Sequence, residues 1–550
     1  MALRNGRRFI WPAFDQGVDH EGRTDQTTVT ARPRRLLTCE NAIWRGGGLE
    51  RRLGTALIHN PNDYVPITGG IRFYRGSTKE TLVSSGSSIY SYNADHSVRT
   101  SLSLPAAMTA NLQTFMVAYR TGLTDDTIRV YISNATDAPM VASGNPAAIS
   151  AFAPTNLPTD VKQFIPHQDR LFAICTTNPL HLWWPPSLNP GGTYTTLGQT
   201  IGIPSSDPAL TAAISHKFQT SDTGTISELI LCTASQTWAV IGTQGWGPPL
   251  VNFMNNDAIR LHNVSGNIGT LSPKSLVNTP VGLIFLGRTF GRNQLMLLSG
   301  FGDETRVYPI FGIRADLNAI PVAALSSVSA TYADGYYMLS YTLEGDTVNR
   351  REFWLNTEGL SRIPEGLWGP FYGPMIRAGN ITGISVYIPF PGGTDNNELY
   401  VGDAGSGRLY QIQATDDDEG GGIAFKVRTP WQKAERPMRV GQFLVNAERR
   451  DGSATCRTYF DYGARTLDGD AAIIPVSSRI GSLVIGTGTI GGQETGVVSL
   501  PLDDAATDTD LTCEAFSQEV EFATPGTPFK LHEVGAWVQP MRYQLDRVSK

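Results

Sequence analysis

The chain has 550 residues, with 44 Lys and Arg against 50 Asp and Glu, which gives a formal net charge of −6. This balance excludes a protein that wraps nucleic acid by neutralising its phosphates. Charged residues make up only 17% of the chain, against about 25% in an average globular protein, which favours a surface covered by neighbouring chains. The 57 Gly and 34 Pro predict many turns and few long helices, so we expect an all-β fold.

Residues 1–64 are predicted to be an arginine-rich N-terminal arm that also supplies closing strands. Residues 1–60 contain ten Arg and no Lys, which suggests packing against a partner or against the main body. Within the arm, the run from Asn41 to Thr55 has the pattern of a strand, a glycine turn and a strand. One such strand is expected to close a ring of sheets, because closure from both chain ends removes exposed edges. The candidate partner-interface residues are Arg4, Arg7, Arg8, Arg32, Arg34 and Arg35.

A hairpin pattern repeats from residue 65 to residue 415. Each copy has an apolar strand, a turn rich in Gly, Asn, Asp or Ser, and a strand with aromatic residues, as in 71–75 with 88–92. Repeats of about 45 to 60 residues are typical of β-propeller blades. The spacing is uneven, and the Gly-His and Trp-Asp pairs of WD40 repeats are missing. We therefore predict a diverged β-propeller of six or seven blades.

Residues 416–422 are predicted to be an acidic glycine linker that separates the propeller from a platform domain. Beyond the linker, alternating apolar residues predict strands, and residues 423–550 are expected to form a β-sandwich-like domain. The linker lacks the ligand order and central Gly of an EF-hand, so a solvated linker is the favoured interpretation. Hard oxygen ligands nevertheless cluster there, and the weak candidates for a Ca²⁺ site are Asp416, Asp417, Asp418 and Glu419.

No motif in the sequence points to catalysis or to a cofactor, and we expect neither. No Walker sequence occurs, and the eight His lack metal-ligand spacing. One partial Asp-box turn of the sialidase type, at 220–225, lacks its closing aromatic residue. Glu352, Glu358 and Glu365 stand near tryptophans, but carboxylates on separate blades cannot be paired as glycosidase groups from sequence. Aromatic residues that could stack on sugars, but are more often core, are Trp183, Trp184, Trp246 and Trp368.

The cysteines and the hydropathy bear on the place of synthesis. The five cysteines are widely spaced and form no Cys-x-x-Cys pair, as expected for small buried residues of a chain made in a reducing cytoplasm. No stretch of 18 apolar residues occurs. Neither a signal peptide nor a membrane span is therefore expected.

Four segments together resemble the β-propeller tail proteins of tailed bacteriophages, of which the tail nozzle, or tail hub, of short-tailed phages is the best-known type. The first segment, 41–55, has a strand, a glycine turn and a Leu-x-x-Arg-x-Gly-Thr return. Segments 228–242 and 270–288 are similar to a central blade and to the blade that follows it. The fourth, 529–540, is similar to the terminal strand pair. The four segments follow the order of that family along most of the chain.

The resemblance implies a structural virion protein without catalytic residues, repeated around the tail axis, often six times. A homohexameric ring is therefore expected, made in the host cytoplasm and attached to an adaptor or portal-side tail protein, with a tail fibre or spike as a further candidate partner. Viral DNA would pass through the ring during ejection without sequence-specific binding, which an acidic lining favours. The first alternative is a receptor- or glycan-binding propeller of the tail, and the second is a propeller glycoside hydrolase.

Overall fold

The computed structural model is almost entirely β-structure, which confirms the predicted fold class. Six strands precede the propeller: β1 (Arg7–Trp11), β2 (Asp25–Gln26), β3 (Thr38–Glu40), β4 (Ala42–Arg45), β5 (Gly48–Arg51) and β6 (Thr55–His59). The structure describes residues 7–11, 14–19, 25–26, 35–61, 64–75, 78–93, 95–121, 128–144, 147–168, 170–185, 189–194, 201–220, 224–241, 260–389, 399–449, 454–461, 465–471, 484–485, 488–489, 495–501, 512–522 and 528–540.

Blades 1 to 4 are antiparallel sheets of four strands each, taken in chain order from the innermost strand to the outermost. Blade 1 contains β7 (Ile67–Arg75), β8 (Thr78–Ser85), β9 (Ser88–Tyr92) and β10 (Arg99–Ser101). Blade 2 contains β11 (Phe115–Arg120), β12 (Ile128–Ser133), β13 (Met140–Ser143) and β14 (Ala148–Ala151). Blade 3 contains β15 (Val161–His167), β16 (Arg170–Cys175), β17 (His181–Trp183) and β18 (Ile201–Gly202). Blade 4 contains β19 (Leu210–Thr220), β20 (Gly224–Thr233), β21 (Thr237–Ile241) and β22 (Arg260–Ser265).

Blades 5 to 7 depart from that simple order. The inner strand of blade 5 is split, and the blade contains β23 (Ile268–Gly269), β24 (Val277–Thr279), β25 (Gly282–Thr289), β26 (Arg292–Ser299) and β27 (Arg306–Phe311). Blade 6 contains β28 (Ser329–Ala333), β29 (Tyr336–Tyr341), β30 (Arg351–Asn356) and β33 (Phe371–Ile376). The chain between β30 and β33 forms two further strands, β31 (Ser361–Ile363) and β32 (Gly366–Trp368), which join the edge of the blade 5 sheet. Blade 7 takes its first three strands from β34 (Ile384–Ile388), β35 (Leu399–Asp403) and β36 (Leu409–Ile412).

The arm closes the propeller. Strand β6 pairs antiparallel with β36, with Thr55 opposite Ile412, and becomes the outermost strand of blade 7. Successive innermost strands pack against one another, and β34 of blade 7 packs against β7 of blade 1. The ring therefore has seven blades. The strands predicted in the run from Asn41 to Thr55, β4 and β5, pair with each other and with the last strand of the chain instead, and the closing strand β6 begins where that run ends.

The remaining strands form the platform, and the arm contributes to it as well. Strand β3 pairs with β33 of blade 6 at Cys39 and Gly373, so the sheet of blade 6 continues into the platform without a break. Strands β1 and β5 both pair with the last strand of the chain. The platform strands from the C-terminal part are β37 (Phe425–Arg428), β38 (Trp431–Arg449), β39 (Ala454–Phe460), β40 (Arg465–Ala471), β43 (Thr495–Pro501), β44 (Thr512–Phe522) and β45 (Phe529–Pro540), with β3 pairing β37. Strands β41 (Val484–Ile485) and β42 (Gly488–Thr489) form a two-stranded sheet of their own.

Apolar side chains between neighbouring sheets hold the blades together, as the alternation of strand side chains requires. Phe172, Trp184 and Leu229 belong to one such cluster, which joins blades 3 and 4. Helices are short: α1 (Arg314–Asn318) is accompanied by 3-10 helices at Pro273–Ser275, Gly302–Glu304 and Val322–Ser327. Within the part of the chain that the structure describes, no helix has the length and apolar character needed to cross a membrane.

Candidate functional site

Four buried charges meet where the arm, blade 6 and residues 416–421 come together. We call the residues Asn41, Arg52, Glu352, Arg377 and Asp418 the closure junction. Arg52 donates two hydrogen bonds from its guanidinium group to the Asp418 carboxylate, from Nη1 to Oδ1 at 3.0 Å and from Nη2 to Oδ2 at 2.5 Å. Both side chains are 0% exposed. Such a bidentate arrangement is the strongest form of ion pair that arginine makes.

Asp418 also binds two further elements. Thr55, the first residue of the closing strand β6, donates its hydroxyl to Oδ1 at 3.2 Å, and the backbone N–H of Ala378, just after β33, donates to Oδ2 at 2.9 Å. Each carboxylate oxygen therefore accepts two hydrogen bonds. One side chain thus connects the closing strand, blade 6 and the chain leading into the platform.

The second half of the junction centres on Glu352. Arg377 Nε donates to one oxygen at 2.6 Å, while Tyr387 Oη at 2.7 Å and Trp354 Nε1 at 3.2 Å donate to the other. Arg377 also lies 3.8 Å from Asp418 and so links the two halves. Two guanidinium groups face two carboxylates, which leaves the cluster without net charge. A balanced cluster is the arrangement that makes burial of ions tolerable.

The arm is shaped to fit this cluster. Asn41, at φ 52°, accepts Arg52 Nε at 3.0 Å and the Ile376 N–H at 2.8 Å on one oxygen. A Cβ atom on Gly54 would lie 1.7 Å from the carbonyl oxygen of Asp417. The return pattern Leu-x-x-Arg-x-Gly-Thr therefore has a physical meaning: its Arg pairs with Asp418, its Gly allows the close approach, and its Thr supplies a further donor.

Electrostatics favour the charged forms of Asp418 and Arg377. Burial alone would raise the pKa of Asp418, but the charge and hydrogen bonds of Arg52, with the charge of Arg377, hold it below its usual range. Burial opposes the charge on Arg377, yet Glu352 and Asp418 hold its pKa above its usual range. Burial, followed by Glu352, raises the pKa of Tyr387. Burial, followed by the charge of Arg377, lowers the pKa of Arg52.

The interpretation of 416–419 as a solvated linker is wrong at Asp418, which is fully buried against the arm. Asp416 is exposed, and its backbone carbonyl accepts Arg51 Nη2 at 3.0 Å. Glu419 accepts the hydroxyl of Tyr410 at 3.1 Å. Asp418 has no oxygen left for a cation. Among the described residues, no group of three or more His, Cys, Asp or Glu side chains is placed to hold a metal ion.

The axis of the propeller is occupied by the chain itself. Strand β23 ends opposite Arg288 and β24 begins opposite Ile284, so residues 270–276 bulge out of the innermost strand of blade 5. From this bulge Lys274 reaches blade 1, donating to the Thr68 carbonyl at 2.8 Å, and lies 5.5 Å from the ring centre of Phe115 in blade 2. Burial lowers the pKa of Lys274 to about 7. We call residues 270–276 the axial plug.

A repeated clasp, which we did not predict from the sequence, stabilises several blades. In each clasp the segment before the innermost strand is tied to the turn between the second and third strands by one carboxylate. That carboxylate accepts both the backbone N–H, at 2.6–2.8 Å, and the hydroxyl of a single Ser or Thr. The pairs in blades 2, 3, 4 and 7 are Thr109 with Asp137, Thr177 with Asp160, Ser235 with Asp207 and Thr382 with Asp403.

The clasp of blade 7 should contribute most, because its carboxylate is the most buried. Asp403 is 0% exposed and also accepts the Gly383 N–H at 3.2 Å. Replacing Asp403 by Ala leaves these donors without an acceptor, so we expect a loss of about 2 kcal/mol in the free energy of unfolding. Urea titration followed by tryptophan fluorescence measures it. The matched variant Asp137→Ala, at a solvent-exposed clasp, should lose clearly less, and equal losses would contradict the role of burial.

The arginine-rich arm contacts its own chain at the one predicted interface side chain that the structure describes. Arg35 donates to Asp19 at 3.1 Å and lies 3.6 Å from the ring centre of Trp368. The backbone of Arg7 and Arg8 belongs to β1, which pairs with β45. A role for these residues in partner binding stays a prediction. Outside the described residues lie Arg4, Arg32 and Arg34.

The predicted sugar-stacking and hydrolase candidates do not converge in the described part of the chain. Trp183, Trp184 and Trp368 are at most 5% exposed and belong to the interior, while Trp246 lies outside the described residues. Glu352 is buried in the closure junction, whereas Glu358 and Glu365 are exposed. The partial Asp-box lies at the turn between β19 and β20, where residues 221–223 are outside the described residues. All five cysteines are buried.

A polar cleft of about 440 Å³ lies between the arm and blades 6 and 7. It is lined by Arg45, Leu53, Asp334 and Gln413, and Arg45 spans it with contacts of 3.4 Å to both Asp334 and Gln413. Its charges are paired within the chain, and no buried carboxylate pair points into it among the described residues. The cleft is therefore best described as a polar, solvent-accessible gap between structural elements.

Comparison with solved structures gives neighbours of low similarity. A structure titled YCF48 bound to D1 peptide matches 68% of this chain and 98% of its own chain, with 10% identity and a TM-score of 0.35. The extracellular domain of a putative hybrid two-component system from B. thetaiotaomicron matches 65% of this chain, with 11% identity and a TM-score of 0.36. This chain spans 40% of the length of that second protein. The fold assignment rests on the strand order of the chain itself.

Comparison by sequence adds no relative. No protein-family model matches the chain, and no curated protein matches it.

Proposed function

We propose that this chain is a structural subunit of a bacteriophage tail, a nozzle or hub protein assembled as a ring, most simply a hexamer, around the DNA exit channel and attached on the adaptor or portal side. The observation that carries the proposal is the continuity of the blade 6 sheet into the platform through β3. A propeller joined to a second domain by one sheet is a rigid block, suited to transmitting position between neighbours.

The distribution of charge supports a scaffold role. The most buried ions are paired with one another in the closure junction, and the clasp carboxylates bind backbone and hydroxyl donors of the same chain. These constellations stabilise the fold and leave no converging acid, base or nucleophile in the described residues. The use of these charged groups in contacts that stabilise the fold favours a structural protein over the hydrolase alternative.

The axial plug supports a DNA path between the subunits of the proposed assembly. Because Lys274 crosses from blade 5 to blades 1 and 2, the hole of the propeller is closed to a duplex. In the proposed ring, DNA therefore passes between subunits and not through one propeller. A net charge of −6 per chain disfavours adhesion of the passing phosphates.

Native mass spectrometry and negative-stain electron microscopy of the purified full chain test the proposal. We expect a closed ring, most simply of six chains, with a central opening wide enough for duplex DNA, which is about 20 Å across by its groove dimensions. Antibodies to the chain should label the tail of a virion. A chain that stays monomeric at every concentration and labels no virion would exclude the proposal, and specific binding on a glycan array would favour the receptor-binding alternative.

A further inference from the structure

The outer edge of blade 2 lacks the protection that other outer strands have. Strand β14 has the sequence Ala-Ile-Ser-Ala, and Ala148, Ser150 and Ala151 are exposed. The chain from residue 138 to residue 159 contains no charged residue at all. Exposed, uncharged edge strands invite pairing with another strand, and proteins normally guard them with charge, proline or short length.

The outer strands of blades 1, 3, 4 and 5 carry such guards. Strand β10 of blade 1 contains Arg99, whose guanidinium lies 3.4 Å from the ring centre of Tyr90. The outer strand of blade 4, β22, begins with Arg260, and the edge strand of blade 5, β31, contains Arg362. Strand β18 of blade 3 has only two residues. The outer strand of blade 7, β6, is also uncharged, but none of its residues is exposed. Strand β14 combines an uncharged sequence with exposed side chains, and this composition favours strand addition.

The backbone geometry shows which groups face outward. Phe152 donates its N–H to the Pro139 carbonyl at 2.8 Å, so this pair is a hydrogen-bonded pair of the β13–β14 ladder. Because hydrogen-bonded and non-bonded pairs alternate in antiparallel sheets, Ser150 also bonds inward, to Val141. The N–H and C=O groups of Ile149 and Ala151 therefore point away from blade 2, where the described residues supply no further strand.

We propose that blade 2 binds a second copy of this chain by antiparallel pairing of the two β14 strands across a two-fold axis. Centred on Ser150, this register places Ile149 opposite Ala151 of the partner subunit, and the reverse, so the outward groups form four main-chain hydrogen bonds. A two-fold contact must be self-complementary, and an edge without charge brings no like charges together. The small side chains of Ala148, Ser150 and Ala151 permit the close approach.

The proposed register makes a sharp prediction for crosslinking. Ser150 would face Ser150 of the partner subunit at a non-hydrogen-bonded position, with Cα atoms about 4.5 Å apart, which a disulfide can span. The full-length Ser150→Cys variant should form a disulfide-linked dimer under mild oxidation, because the five native cysteines are buried. The matched variant Thr100→Cys, exposed on the outer strand of blade 1, should stay unlinked. No dimer from Ser150→Cys, or equal crosslinking of both variants, would overturn the proposal.

A second measurement needs no new covalent bond. In sedimentation equilibrium, Ser150→Lys should weaken self-association of the full chain at least tenfold, since two ammonium groups would meet on the axis, whereas Ser150→Thr should leave it unchanged. Unchanged association of Ser150→Lys would count against the pairing. The test is independent of the tail proposal: a chain that labels no virion could still form this dimer, and a ring could form in the Ser150→Lys variant.

Discussion

Replacing Asp418 by Asn should lower the free energy of unfolding by about 3–5 kcal/mol, the usual cost of removing one partner from a buried ion pair. The substitution leaves Arg52 and Arg377 facing the single charge of Glu352, and all of these side chains are at most 3% exposed. It also turns one acceptor oxygen toward Arg52 into a donor. Guanidinium titration followed by tryptophan fluorescence gives the change, since Trp354 is part of the same cluster.

A neighbouring carboxylate in the same acidic run provides the control. Asp416→Asn changes an exposed side chain and keeps the backbone carbonyl that accepts Arg51 Nη2, so we expect a change within about 0.5 kcal/mol. If both variants lost the same stability, the run would act as a general charge effect and the closure junction would not be the cause.

The Asp418→Asn variant also shows how the stability that Asp418 contributes depends on pH. Because the pKa of Asp418 is held below its usual range in the folded chain, its contribution is fully present above about pH 4 and is lost as the pH falls through the folded value. The difference between wild type and Asp418→Asn should therefore stay constant from about pH 5 to about pH 8. It should shrink only in stronger acid.

The hairpins could be predicted from the sequence because they depend on local pattern: alternating apolar residues and turn clusters mark the strands. The closing strand was placed in the run from Asn41 to Thr55, whereas the strands of that run join the last strand of the chain and β6, which begins at Thr55, closes the ring. Which residues of the acidic run 416–419 are buried could not be predicted. Asp416 and Asp418 lie two residues apart in the same acidic run, yet one is exposed and the other is buried by Arg52, a residue 366 positions away in the chain.

The clasps and the axial plug were missed for a related reason. Each clasp joins a Ser or Thr to an Asp at a separation that varies from 17 to 28 residues, so no fixed spacing shows in the sequence. The plug, 270–276, has strand-like residues on both sides and contains one Pro and one Lys. Only the pairing of β23 and β24 with the same neighbour, β25, shows that the segment between them leaves the sheet.

Glu228 presents the opposite situation to Asp418, because no described residue supplies a cation to this buried carboxylate. It is 0% exposed on β20 and, among the described residues, accepts the Gly302 N–H at 3.2 Å and the Thr305 hydroxyl at 3.0 Å. Burial raises its pKa from 4.5 to about 7, against the smaller effect of those two hydrogen bonds. Its cross-strand neighbour His216 is also buried, and burial lowers the pKa of that imidazole.

Glu228→Gln should therefore stabilise the protein at high pH and leave it nearly unchanged in mild acid. Between about pH 4.5 and pH 7 the folded chain keeps a proton that the unfolded chain has lost, so wild-type stability falls as the pH rises through this window and then levels off. The full difference corresponds to about 3 kcal/mol. Gln has the shape of the protonated acid and cannot ionise, so the variant escapes that loss, while the titration of His216 is common to both proteins and cancels.

Guanidinium titrations of both proteins at about pH 5 and about pH 8, with the exposed Glu344→Gln as the control, measure the difference. A Glu228→Gln protein less stable than wild type at the higher pH would show that the carboxylate is ionised and held by its two donors.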